Sequence, residues 1–219
     1  RQRQMCIRDS SHSIHLKPLD EDALSLPVRT GKARVIGIEP ASLVTKSLVR
    51  EVKTDDTGCF QSALNPGLTK IAVIERHKRT GKLGIGILEG YGLTGGAIAT
   101  TISHDSHNIV VAGDNDPDML LAVRELADMG GGIVSVHGGA IRRLPLPIAG
   151  LMTSADPQEV NAVLHDMLVA ARAELGIPED VEPFMTLSFM ALPVIPELKL
   201  TARGLFNVNT FSFVGVEAD

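Results

Sequence analysis

From Lys70 onward the chain repeats one kind of unit, a short uninterrupted apolar run punctuated by glycine. Ile71-Ala72-Val73-Ile74, Leu83-Gly84-Ile85-Gly86-Ile87-Leu88, Ala97 to Ile102 and Asn108-Ile109-Val110-Val111-Ala112-Gly113 follow in close succession. Runs of this length without polar alternation read as strands covered on both faces. The glycines inside Leu83–Leu88 mark places where another backbone or side chain approaches closely. Such strands need covering layers, and two helices are easy to place. One starts at Asp116-Pro117, with Asp116 as cap, and carries a stripe of Met119, Leu120, Val123, Leu126 and Ala127 up to Gly130. The other starts at Asp156-Pro157, with Glu159 as capping-box partner, and repeats Val160, Val163, Leu164, Met167, Leu168, Ala171 and Leu175 until Gly176. Between them Gly132–His137 reads as a strand and Gly138-Gly139 as a hairpin turn. Phe184 to Met190 and Leu205 to Val214 read as further strands. The fold class is α+β: a layered α/β domain with a mixed, largely buried sheet and two clear helices, preceded by a short β-rich segment.

That preceding segment, residues 11–65, contains the strand Ala33–Ile38 stopped by Pro40, a partly alternating run from Leu43 to Val52, and turn chemistry at Thr54–Gly58. Asn65-Pro66-Gly67 is a breaker and the expected boundary with the domain of residues 66–219. Residues 1–10 have neither an apolar signal core nor a folding period, and read as a non-native or disordered leader.

Charge and composition exclude several function classes. Lys and Arg number 21 against 26 Asp and Glu, a net charge of -5, which disfavours non-specific nucleic-acid binding. Aromatic residues are 3% with no Trp, too few for base-stacking platforms. No apolar run approaches the roughly 18 residues of a membrane span. Cys6 and Cys59 cannot make a disulfide scaffold, so a reducing, cytoplasmic setting is expected.

The densest chemistry lies in Ser103-His104-Asp105-Ser106-His107-Asn108 and the following Gly113-Asp114-Asn115-Asp116. Imidazoles and carboxylates this close can coordinate a metal or move protons. The alternative is a network tying two loops together, with Asp116 and Asp114 as cap and turn. The His-x-x-His spacing has strand-like flanks, unlike a helical zinc-protease motif. Glu75-Arg76-His77 is a second candidate, in which Arg76 clamps an anion or pairs with Glu75; the alternative is an exposed charged turn. Tyr91 to Gly96 precedes a strand, so its glycines serve close packing rather than phosphate binding. Leu144 to Met152 is a stiff apolar stretch that closes a pocket or meets another domain; the alternative is a buried connector.

Four strings taken together, Ile71–His77, Ser103–Asn108, Leu144–Met152 and Leu192–Thr201, resemble the C-terminal part of bacterial and archaeal adenine deaminase over about residues 30–219. The resemblance implies hydrolysis of adenine to hypoxanthine and ammonia in purine salvage. It also implies a divalent metal, Mn or Fe, held by an N-terminal (β/α)8 barrel of the amidohydrolase superfamily that opens with His-x-His. No His-x-His occurs here, because His12/His15 and His104/His107 are each separated by two residues. A barrel of about 250 residues also exceeds what this chain can hold. No metal ligand is therefore assigned to the chain, which is expected to be inactive without the barrel. The implied partners are adenine, the barrel and further copies of the chain, with no nucleic acid or membrane. His104, Asp105, His107 and Asn108 are then expected to support catalysis at the barrel mouth, and Glu75, Arg76 and His77 to bind substrate. The alternatives are a non-catalytic docking or oligomerisation module, and a free-standing metal-binding domain using His104, Asp105, His107 and Asp114.

Overall fold

The computed structural model describes residue 11 and residues 13–218. The leader of residues 1–10, with Cys6, lies outside the described residues, as does His12. Eight strands form one mixed sheet: β1 (Lys32–Ile38), β2 (Thr45–Glu51), β3 (Leu68–Ile74), β4 (Leu83–Glu89), β5 (Gly96–Thr100), β6 (Ile109–Gly113), β7 (Gly132–His137) and β8 (Ala140–Pro145). Their order is β2-β1-β4-β3-β6-β5-β7-β8, antiparallel throughout except for the parallel pair β1/β4. The strands before and after Asn65-Pro66-Gly67 thus share one sheet. The C-terminal residues join it too, since Arg34 N–H donates to Val216 O and Ala218 N–H to Lys32 O.

β5 and β6 are buried along their whole length. Their side chains alternate between two apolar clusters, as the period of a strand requires. Ala72, Ile74, Ala97, Ala99 and Val111 face helix α1 (Asp116–Asp128). Ile71, Val73, Ile98, Val110 and Ala112 face the other side. There they meet Met167 and Ala171 of α2 (Pro157–Ala173), and Leu187 and Met190 of α3 (Pro183–Met190). Leu198, Leu200 and Leu205 complete that layer from a second, three-stranded sheet of β9 (Leu198–Thr201), β10 (Gly204–Asn207) and β11 (Ser212–Val214).

The small sheet explains the glycines of β4. A Cβ at Gly84 would sit 2.0 Å from the Thr201 carbonyl oxygen and 2.9 Å from Gly204 N. Gly84→Ala is therefore expected to push β9 and β10 off β4 and cost about 2 kcal/mol. Chemical denaturation of the parent and the variant measures this directly. Gly138 and Gly139, with φ of 55° and 80°, form the hairpin turn between β7 and β8.

Two local expectations are corrected. Residues 184–190 are helical, not extended. Glu182 caps α3 by accepting from Met185 N–H, and Pro183 occupies its first turn. An almost wholly apolar segment has no stripe, so its period cannot separate a covered strand from a covered helix. The cap of α1 is Asn115, whose Oδ1 accepts from Asp118 N–H at 2.9 Å, rather than Asp116. Asp116 is the first helical residue and pairs with the buried Lys70 ammonium at 2.6 Å. Asp156 does cap α2, through Gln158 N–H at 2.8 Å.

Candidate functional site

Residues 101–108 connect β5 to β6 at one end of the sheet, and Asp114 follows β6 at the other end. Five residues of strand put roughly 17 Å between them. Asp114 is occupied at its own end, accepting from Gly95 N–H at 2.5 Å and Gly96 N–H at 3.0 Å. The expected grouping of His104, Asp105 and His107 with Asp114 and Asp116 is therefore not assembled. Among the described residues no three His, Cys, Asp or Glu side chains converge to hold a metal ion. The described residues therefore offer no ligand set for a divalent metal.

His104, Asp105, His107 and Asn108 do share one loop. His107 N–H donates to Ser103 O at 2.6 Å, closing it, and His104 N–H donates to Ser188 O at 2.9 Å, anchoring it to α3. The His104 ring stacks on Phe189, with centroids 4.6 Å apart and planes at 28°, and lies 6.2 Å from the His107 ring. Its side chain is still 42% exposed, and Asp105 projects almost fully into solvent. Ser103 Oγ, His107 Nδ1 and Asn108 Oδ1 are buried and carry no hydrogen-bond partner among the described residues. Burial lowers the His107 pKa, and the positive Arg76 nearby adds to the effect. His104 and His77 act in the same direction, while Asp105 opposes them. These effects favour the neutral imidazole of His107, which can accept or donate one proton.

The second expected group divides into three roles. Burial raises the Glu75 pKa, but bonds from Thr80 N–H and Oγ1, His77 N–H and Lys78 N–H outweigh it and hold the carboxyl at about 2. Glu75 thereby organises the turn between β3 and β4 and does not pair with Arg76. His77 Nε2 lies 2.8 Å from Ser106 O and joins that turn to the histidine loop.

Arg76 is 1% exposed, not an open anion clamp. Its Nε donates to His107 O, Nη1 to Ser13 O (3.1 Å) and Oγ (3.0 Å), and Nη2 to Ala149 O (2.9 Å). Every one of these acceptors is uncharged, and burial lowers its pKa to about 10. Ala149 belongs to the apolar stretch 144–152, a partly buried connector with Met152 exposed, and its carbonyl meets Arg76 beside the histidine loop. Gly150 O accepts from Thr101 Oγ1, and a Cβ at Gly150 would lie 2.9 Å from the guanidinium.

Phe189, Ser13 and Ala149 are contributors that sequence reasoning missed. Phe189 was hidden in the featureless apolar run of α3, Ala149 acts through its backbone carbonyl, which leaves no mark in a sequence, and Ser13 acts through both its carbonyl and its hydroxyl. A cleft of about 820 Å³ away from this loop is lined by Lys32, Arg50, Lys53 and Asn65. Among the described residues no helix is long and apolar enough to cross a membrane.

The chain is 58% identical over 211 residues to an adenine deaminase of Nitratidesulfovibrio vulgaris, covering 96% of the chain and 36% of that relative. It is 47% identical to adenine deaminase 2 of Carboxydothermus hydrogenoformans (94% and 36%) and 44% identical to an adenine deaminase of Clostridium acetobutylicum (93% and 36%). The chain thus spans about a third of the length of the relatives it matches. The family described as adenine deaminase C-terminal domain matches residues 42–212. With most of its length matched in this way, the chain belongs to the adenine deaminase C-terminal domain family.

Proposed function

We propose that this chain is the C-terminal part of an enzyme that hydrolyses adenine to hypoxanthine and ammonia, a purine-salvage reaction. In this reading the His104–Asn108 loop serves the adenine pocket, and a divalent metal, Mn or Fe, belongs to the part of the protein outside this chain. The observation that carries the reading is the 58% identity to a named adenine deaminase across 96% of the chain. The loop supplies the chemical support. Replacement of an amino group by oxygen on a purine ring requires proton movement to departing ammonia, and neutral imidazoles serve such transfers. His104 presents an accessible ring held flat against Phe189, while burial and the nearby Arg76 charge favour the neutral form of His107. A purely docking role calls instead for a closed network, which the 42% exposure of His104 does not match.

The test joins this chain to the Nitratidesulfovibrio vulgaris relative in place of its matched segment and follows ammonia release from adenine. His104→Ala and His107→Ala are each expected to lower kcat/KM by about 100-fold. Unchanged rates in folded variants remove the loop from catalysis.

A further inference from the structure

The described residues include five non-glycine residues with positive φ: Ala41, Arg79, His107, Ala149 and Phe211. His107 (φ 47°) and Ala149 (φ 60°) lie more than forty positions apart in sequence, yet both carbonyl oxygens accept from the Arg76 guanidinium. L residues hold such a backbone only where the surroundings over-determine it, and sites of this kind gather where geometry serves function. Arg76 also binds Ser13, so one buried group ties the N-terminal segment, the histidine loop and the 144–152 connector together. A guanidinium does this through its planar fork, whereas an ammonium has no such fork. A purely structural joint would not need a buried charge, because uncharged donors can bind carbonyls without the cost of desolvation.

We infer that Arg76 is a positioning residue for the histidine loop: its guanidinium fixes the left-handed backbone of His107 and Ala149 and so sets where the His107 imidazole stands. This rests on the proposal that the loop serves the adenine pocket. The charge has a second consequence for the same ring. The groups that face His107 are Arg76 at the end of β3, His77 in the β3–β4 turn, and His104 and Asp105 in its own loop. Of these only Asp105 favours the protonated ring, so removing the Arg76 charge makes protonation easier.

Arg76→Lys, which keeps a cation but loses the fork, and Arg76→Gln, which loses both, separate the two effects. In the joined enzyme both are expected to lower kcat for adenine by about 100-fold, with KM changed less. In the same joined enzyme, NMR titration of the His107 ring nitrogens is expected to show a low midpoint retained in Arg76→Lys. The midpoint should rise toward the ordinary histidine value in Arg76→Gln. A merely structural joint predicts lower thermal stability with the parent His107 midpoint in both variants, and that result overturns the inference. So do rates within twofold of the parent in both Arg76 variants while His107→Ala is impaired, an outcome that leaves the proposed function standing. If His107→Ala is also unimpaired, the proposed function fails and this inference with it.

Discussion

Asp116→Ala is expected to destabilise the chain by about 3 kcal/mol, roughly a 10 °C fall in Tm for a protein of this size. Lys70 lies inside β3 and is 2% exposed. Its ammonium has two partners, Asp116 Oδ1 at 2.6 Å and Leu24 O at 3.0 Å. Removing the carboxylate leaves a buried cation facing one carbonyl, and an unpaired buried charge is among the costliest defects a fold can hold. The partial exposure of Asp116, at 21%, places the effect at the lower end for such pairs. Lys70→Met in the Asp116→Ala background should recover most of the loss, because the stranded charge is then gone. Calorimetry on the two variants decides the matter; a fall below about 2 °C in the single variant means that the pair does not hold α1 to the sheet.

Lys199→Met works in the opposite direction. Lys199 in β9 is fully buried, and Nζ donates to Leu43 O at 2.9 Å. Burial lowers its pKa to about 8, against 10.5 for a free lysine. The folded chain therefore gives up this proton before the unfolded chain does. Between pH 8 and 10.5 the unfolded state binds more protons, so parental stability rises with pH across that window. Below pH 8 the charged ammonium is carried inside the fold at a constant cost of roughly 3 kcal/mol. Methionine fills similar space without the charge and loses one hydrogen bond. A gain of about 2 kcal/mol is therefore expected at pH 7, shrinking as the pH approaches 10. Denaturation midpoints at pH 7 and pH 10 test the sign; equal stability of variant and parent at pH 7 contradicts it.

Much of the scaffold was legible from residue order. Short apolar runs marked β3 to β6, Asp-Pro marked the starts of α1 and α2, though not the capping residue of α1, and Gly138-Gly139 marked a turn that only left-handed residues make easily. The segment 184–190 was not legible, because amphipathic period is the signal and a segment apolar at nearly every position has none. At the site, His104, Asp105, His107 and Asn108 stood out by density alone. Their separation from Asp114 did not, since residues close in sequence can be placed at opposite ends of a five-residue strand. Glu75, Arg76 and His77 looked like one charged turn. The fold buries the middle one, because its guanidinium reaches inward to the carbonyls of Ser13, His107 and Ala149, and leaves its neighbours nearer the surface.

By itself the sequence determined that β3 to β6 are covered strands, where α1 and α2 begin, and which family the chain resembles. These follow from local propensity, from the period of burial and from strings of residues. Only the tertiary structure decided that β1 joins β4 in parallel, that the small sheet presses on Gly84, and that Arg76 bonds the carbonyls of Ser13, His107 and Ala149. Those contacts join residues far apart in the chain, largely through backbone atoms that every residue possesses, and so no choice of side chain announces them.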